Sequence, residues 1–516
     1  MSAKFIAIFI LTVFASCECS KILFMHPSFS KSHVKPLQVL AVELANKGHE
    51  ITFVTMYPLD KPVKNYRDIK IEVNEEDSKV YTDIGKAMTA GENIFKMIPA
   101  LDKAIFENGN KILQSAAIKN LMNNGQFDLV VTGYFMNEYL LGFADHFKCP
   151  SIIFFSGPHV SSLNAMVGNP LSPEGTAHGL LQATYMNGFT QRLKNILFFG
   201  VDFIMFRTFF YYRAKSVYNY NFPPDRYRSY DEMIRNVSLV LVNTHFTSSG
   251  PRPLLPNLVE VGGLQVKPNP APLPEDLKTF LDDAKDGAIL FSFGSNAKSI
   301  YIPEDKQKII LKVFSKLKQR VIMKWESDVL PGKPKNVLIS KWLPQDDILA
   351  HPNIKAFISH CGYGGVIEAK SNGVPIIGIP LGADQKGNAD KIVEEGWAVR
   401  LDMTDITEES LTNALKEILS NPKYRDIVGK QAILAKDRPM NAQDTAVYWV
   451  EYVLRHNGAP HLHYPGADLN FFQANSIDVI LFIFAVIYAA FKVIKLICGF
   501  IFCRSKKGSN EKLKRN

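Results

Sequence analysis

The sequence predicts an α/β chain of two parallel-sheet domains in series, followed by a membrane-crossing helix, in 516 residues. Three observations lead there. Short apolar runs alternate with stretches of helical spacing from Lys21 onward, the pattern of βαβ units. Val266–Asp276 (VKPNPAPLPED) has four prolines in eleven residues and divides the series in two. Ile477 to Phe502 is apolar apart from Asp478, Lys492 and Lys495, about the length of one bilayer span.

At the start, Lys4 precedes the eleven-residue apolar run Phe5–Ala15 and then small residues through Ser20, which is signal-peptide anatomy over 1–19. A strand is expected at KILFMHP from Lys21. After Ser32 comes a helix carrying Leu37, Leu40, Ala41, Leu44 and Ala45 on one face, with Pro36 in its first turn, and ITFVT from Ile51 returns as strand. A βαβ start implies a Rossmann-like domain, taken as 20–265, with further strands at FDLVV, SIIFF and SLVLVN. Beyond the 266–276 linker, AILFSF, RVIMKW, NVLIS, AFIS and PIIGI make a second such domain, 277–440. A helical juxtamembrane segment, 441–475, leads to the transmembrane helix, 476–503, and a basic tail, 504–516. Arg504, Lys506, Lys507, Lys512, Lys514 and Arg515 place that tail in the cytosol and the domains in the lumen, a single-pass type I arrangement.

The net charge of +9 is misleading until it is located. Residues 492–516 hold eight Lys or Arg against one Glu, so the rest of the chain is nearly neutral and nucleic-acid binding loses its support. Of six cysteines only Cys149 and Cys361 lie in the body, too few for a disulfide framework. Asn236 heads the one N-glycosylation sequon.

The chemistry concentrates between Trp342 and Asn388. AFIS, Ala356–Ser359, reads as a buried strand; His360, Cys361, Gly362, Tyr363, Gly364 and Gly365 follow; and a helix runs on to Gly373. Strand, glycine turn and helix N-terminus make an anion site, because free N–H groups and the helix dipole both favour negative charge. The strand Pro375–Ile379 delivers Asp384 and Gln385 to the same edge.

With Trp342, Pro344, Gln345, His360, Gly362, Glu368, Asp384, Gln385 and Asn388 in this order, the segment resembles the signature of the UDP-glycosyltransferases, and the stretch Arg438–His461 resembles arthropod members. The resemblance implies two facing Rossmann-like domains (the GT-B architecture). It assigns the uracil to Trp342 and Gln345 and the ribose to Glu368. The diphosphate falls to Ser295, His360 and the N–H groups of Gly362, Tyr363, Gly364 and Gly365, and the sugar to Asp384 and Gln385. Two departures stand out: Cys361 where animal members usually have glycine, and Gly364 where many carry asparagine.

The family's catalytic base matches His33, in SKSH after the first strand, with His26 as competitor. Many animal relatives orient this histidine with an acid after the FDLVV-type strand; here Gly133 fills the nearest place and Glu138 is the substitute. Expected is inverting transfer of a sugar, glucose by the arthropod resemblance, from a UDP-sugar to a hydroxyl of a small lipophilic acceptor. The UDP-sugar is a co-substrate; no cofactor and no metal are expected, since no Asp-x-Asp pair occurs. Leu197–Tyr212 is dense in aromatics and suits an acceptor pocket or a membrane surface, a core helix being the plainer alternative. KLKRN at the end resembles a dilysine signal, implying the endoplasmic reticulum membrane; homo- or hetero-oligomers are compatible with this reading. The alternatives are a catalytically weakened UDP-sugar or lipophile binder and, less well supported, a dinucleotide oxidoreductase.

Overall fold

The computed structural model describes residues 19–90, 92, 94–178, 181 and 188–512. The leader, save Cys19, and the last four residues of the tail lie outside them. Two sheets form. The first contains β1 (Lys21–Met25), β2 (Glu50–Thr55), β3 (Tyr66–Lys70), β4 (Leu129–Gly133), β5 (Ser151–Phe155), β6 (Leu239–Val242) and β7 (Leu258–Glu260), in the order β3-β2-β1-β4-β5-β6-β7. The second contains β8 (Ala288–Ser292), β9 (Arg320–Lys324), β10 (Val337–Ser340), β11 (Ile354–Ser359), β12 (Ile376–Gly378) and β13 (Ala398–Arg400), ordered β10-β9-β8-β11-β12-β13.

Every pairing is parallel, from β1 on β2 (Ile22 opposite Ile51) to β12 on β13. Parallel strands need crossovers that cover both faces, so both faces must be apolar. Alternation along the strands does this. Leu23, Val130, Ile153 and Val240 enter one buried cluster, and Ile22, Phe24, Leu129, Ile152 and Leu239 another. The second face is closed by the helix Lys31–Asn46, through Val34, Leu37, Leu40, Ala41 and Leu44, and by the helix Ala442–Arg455, through Ala446, Val447, Val450 and Val453. The chain therefore returns, after the second sheet, to finish the core of the first.

The helix Lys31–Asn46 starts earlier than its spacing predicts, with Ser30 at the N-cap, which moves Pro36 into the second turn. Proline has no N–H to offer the carbonyl of Ser32, so the helix keeps it at the cost of that one bond. A second difference concerns the aromatic stretch. The helix Phe189–Met205 and the π-turn Phe206–Phe210 are not core: Leu197, Phe198, Val201, Phe203, Ile204 and Phe209 are all exposed. The helix buries Asn195, whose amide binds the backbone of Pro173, Thr176 and His178.

The proline-rich segment is tethered. The Lys267 and Ala271 N–H groups donate to Asp346 and Asp347 at 2.8 and 2.7 Å, and Lys267 Nζ pairs with Asp347 at 2.6 Å. The residues from Tyr464 onward form a separate unit whose main element is the helix Ile477–Lys512. Its Ile477–Phe500 portion, 24 residues of mean hydropathy 2.4, is long and apolar enough to cross a membrane: about 36 Å at 1.5 Å per residue against a hydrocarbon core of about 30 Å.

Candidate active site

In each sheet the strand order reverses once, between β1 and β4 and between β8 and β11, and ligands of open parallel sheets bind beyond the carboxyl ends there. Both switch points carry a histidine packed on a glycine. A Cβ on Gly294, after β8, would stand 2.7 Å from the ring of His360, after β11. A Cβ on Gly133, at the end of β4, would stand 2.2 Å from the ring of His26, after β1. Neither glycine can take a side chain without moving a histidine.

At the second switch point the predicted strand, glycine turn and helix start come together. The helix Tyr363–Ser371 has Gly362 as N-cap, so the N–H groups of Gly364 and Gly365 are its free first-turn donors, that of Tyr363 being taken by Asp384. A Cβ on Gly362 would meet His360 Nε2 at 2.4 Å, which fixes glycine there. Ser295 Oγ and His360 Nδ1 are buried without a hydrogen-bond partner. Such orphans are uncommon in native proteins, and a bound ligand is one thing that can supply the partner. Burial, with Lys324 nearby, holds His360 down at a pKa of about 4, so its imidazole is neutral.

Around this turn the other predicted residues divide. Gln345 Nε2 donates to Glu368 Oε2 at 2.6 Å, and burial raises the pKa of Glu368. Trp342 is 46% exposed, with Lys31 Nζ 3.8 Å from its ring centroid, a cation–π contact across the cleft. Asp384 accepts from Asn388 at 2.7 Å and from the Tyr363 N–H, so a carboxylate already lies at the helix N-terminus. Gln385 faces its own loop: its Oε1 accepts the N–H groups of Leu381 and Gly382 at 2.9 and 3.1 Å.

Cys361 explains its own oddity. Its φ is +59°, the left-handed region that glycine takes freely and that costs other residues about 1–2 kcal/mol. Its thiol fills space next to Gly378, where a Cβ would lie 2.6 Å from Sγ. At Gly364 a Cβ would meet nothing nearer than Gln265 Nε2 at 3.6 Å, so the missing asparagine is not excluded by space.

Across the cleft, His33 sits in the first turn of the helix Lys31–Asn46, its ring edge-on to Phe135 at 5.1 Å. Burial lowers its pKa to about 4, leaving it neutral at physiological pH. His26, the competitor, is 1% exposed and held down at about 3, with Nδ1 unpartnered. Glu138 is not brought to His33. It is buried against Tyr134, whose hydroxyl donates to it at 3.1 Å, and burial pushes its pKa up to about 7. His33 Nδ1 instead lies 2.5 Å from Ser30 Oγ.

Residues the sequence reading did not name knit the two sides together. Ser30 reaches Asn296; Tyr363 Oη lies 2.5 Å from Thr244 Oγ1; Gln265, fixed by Asn243 at 2.9 Å, donates to the Gly364 carbonyl at 3.4 Å. Lys370 and Lys391 donate to the carbonyls of Thr247 and Ser248. Lys324, 7% exposed and paired with Glu326 at 2.6 Å, adds a buried cation beside His360. Asn296, directly after Ser295, and Ser30, three residues before His33 at an N-cap, carry the only sequence signals by which any of these could have been found.

Comparison with known proteins agrees with this arrangement. The family described as UDP-glucoronosyl and UDP-glucosyl transferase matches residues 21–512. UDP-glycosyltransferase UGT5 of Dactylopius coccus is 34% identical over 509 residues, 96% of each chain. UDP-glucuronosyltransferase 1A7 of Mus musculus is 30% identical over 502 residues, 94% of this chain and 92% of the mouse protein. Among solved structures, the calicheamicin glycosyltransferase CalG4 shares the fold at a TM-score of 0.50 and 18% identity, covering 85% of this chain and 99% of that one. Because the match runs through both sheets and the cleft between them, the chain belongs to the UDP-glycosyltransferase family and is an enzyme of glycosyl transfer from UDP-sugars.

Proposed function

We propose that this enzyme transfers glucose from UDP-glucose to a hydroxyl of a small lipophilic acceptor, with inversion, with His33 as general base and without a metal. One observation carries the reading: a hydrogen-bonded chain crosses the cleft from His33 through Ser30 to Asn296, next to the unpartnered Ser295 hydroxyl. The neutral imidazole takes the acceptor proton as the oxygen attacks the anomeric carbon from the side away from UDP. Charge growing on the diphosphate is met by the Gly364 and Gly365 N–H groups and by Ser295 and His360, preorganised donors that need no reorganisation. Trp342 stacks on uracil, the Gln345–Glu368 pair takes the ribose, and Asp384 takes the sugar, with only the Nε2 of Gln385 left to join it because its Oε1 holds its own loop. Glucose is favoured by the likeness to a Dactylopius coccus protein named UDP-glucosyltransferase 2, 34% identical.

The apolar helix and the basic residues after it support a membrane anchor with lumenal domains in the endoplasmic reticulum. Microsomes containing the enzyme, given labelled UDP-glucose and a panel of phenols, are expected to form glycosides, and His33→Ala to abolish this while UDP still binds. Undiminished turnover in His33→Ala would remove the base; loss of activity on chelation, restored by manganese, would remove metal independence. Binding without turnover in the wild type would favour the weakened-relative reading.

A further inference from the structure

We infer that Ser30 and Asn296 are the positioning relay of His33, one from each domain, so that the base is oriented only when the domains are closed on each other. This rests on His33 being the base, as proposed above.

Ser30 is an N-cap serine that does not cap. Its backbone is extended (φ −95°, ψ 102°), where a serine hydroxyl ordinarily accepts a first-turn N–H, yet its side chain makes no such bond. The hydroxyl is spent on three side chains: His33 Nδ1 at 2.5 Å, Ser32 Oγ at 3.1 Å, and Asn296, whose Nδ2 and Oδ1 lie 2.9 and 3.2 Å away. Ser30 is 1% exposed, so water does not compete for these bonds. The place from which an orienting carboxylate would project, Gly133, is closed by the His26 ring at 2.2 Å, and Glu138 is engaged by Tyr134.

A hydroxyl has one proton to donate, so the Asn296 amide decides the rest. With Oδ1 toward Ser30, the hydroxyl donates to Asn296 and accepts Nδ1–H from His33, leaving a lone pair on Nε2. With NH2 toward Ser30, the hydroxyl proton turns to Nδ1 or to Ser32; on Nδ1 it forces the hydrogen onto Nε2, and the base is lost. In the reaction the acceptor O–H proton passes to Nε2 and the new bond forms at the anomeric carbon. The bond from that carbon to the UDP oxygen breaks with its electron pair, and Nδ1–H stays on Ser30. The imidazolium then returns the Nε2 proton to solvent. Close approach of the domains has its own mark: a Cβ on Gly85, in the helix Glu75–Thr89, would stand 2.8 Å from the Asn296 carbonyl oxygen.

The test uses the full-length enzyme in microsomes with UDP-glucose and a phenol that the wild type glucosylates. Ser30→Ala and Asn296→Ala are each expected to lower kcat about tenfold or more, with KM for UDP-glucose nearly unchanged. Ser30→Thr, which keeps the hydroxyl, should recover most of the rate, and the double variant Ser30→Ala/Asn296→Ala should be no slower than the slower single variant. Wild-type kcat in both single variants, with His33→Ala inactive, would overturn the relay and leave the base standing. So would a rise in KM alone for Asn296→Ala, which would make it a donor contact, or additive losses in the double variant. Undiminished turnover in His33→Ala would instead sink the reading beneath it. Retained binding of labelled UDP shows that each variant is folded.

Discussion

The two sheets have nearly the same strand order, and each packs a histidine on a glycine at its switch point, yet they use the pair differently. At β8/β11 the histidine sits among buried, unpartnered polar atoms, with Ser295 and the first turn of the helix Tyr363–Ser371 beside it. At β1/β4 the histidine is sealed in, and the ring engaged by Ser30 is the next one along, His33. Equivalent topology has thus produced a glycine turn with unpartnered polar atoms in one half and a histidine closed in by glycine in the other. The lesson is that a switch point says where a site forms, while the residue that fills it decides what the site does.

The largest effect expected from separating the halves is at His33. His33→Ala should lower kcat/KM by about 10²–10⁴-fold with UDP affinity unchanged, as measured by steady-state turnover and equilibrium UDP binding. Loss of both together would show that the halves do not act independently.

Next is the closed-in histidine. Gly133→Asp should destabilise the fold by about 1–3 kcal/mol, because its Cβ overlaps the His26 ring. His26→Ala combined with Gly133→Asp should recover much of that, a non-additivity visible in thermal melts. At the other switch point, Gln345→Ala takes a donor from the buried Glu368 carboxyl, a loss of about 1–3 kcal/mol, and is expected to raise KM for UDP-glucose about tenfold.

A pH series compares the histidines directly. His26 and His360 have folded-state values of about 3 and 4 against 6.5 unfolded, so the unfolded chain binds more protons. Their contribution to stability is complete above about pH 6.5 and is lost as pH falls towards 4, which acid titration of the melting temperature will show. Glu138, raised from 4.5 to about 7, works oppositely: its contribution is present below pH 4.5 and is lost as pH rises through about 7. The smallest effect is at Cys361→Gly. Relief of the left-handed φ and loss of the buried thiol oppose each other, so stability should change by less than about 1 kcal/mol.

The donor half was the more legible because its groups are local. Trp342 to Asn388 spans two strands, their turns and the helices that follow, and spacing along the chain fixes much of its geometry: Gly362 as N-cap, Glu368 and Gln345 facing each other, Asp384 near Tyr363. Gln385 shows the limit, since the same spacing allows its amide to face a ligand or its own loop. The other half was less legible because its partners are far apart in sequence. His26 meets Gly133, and Ser30 meets Asn296 across 266 positions. The exposure of Phe189–Phe210 was hidden for another reason: an apolar helix reads the same whether protein covers it or not.

The sequence by itself determined the two parallel-sheet domains, the strand, glycine turn and helix start after Ser359, and the apolar helix near the end, because periodicity, glycine spacing and helix starts are local properties. Only the tertiary structure decided that Gly133 is shut by His26, that Glu138 belongs to Tyr134, that the helix Ala442–Arg455 completes the first domain, and that Asn296 reaches Ser30. Each of these depends on which surfaces meet once two separately folded sheets close, and the free energy of such contacts appears only when distant groups leave water together.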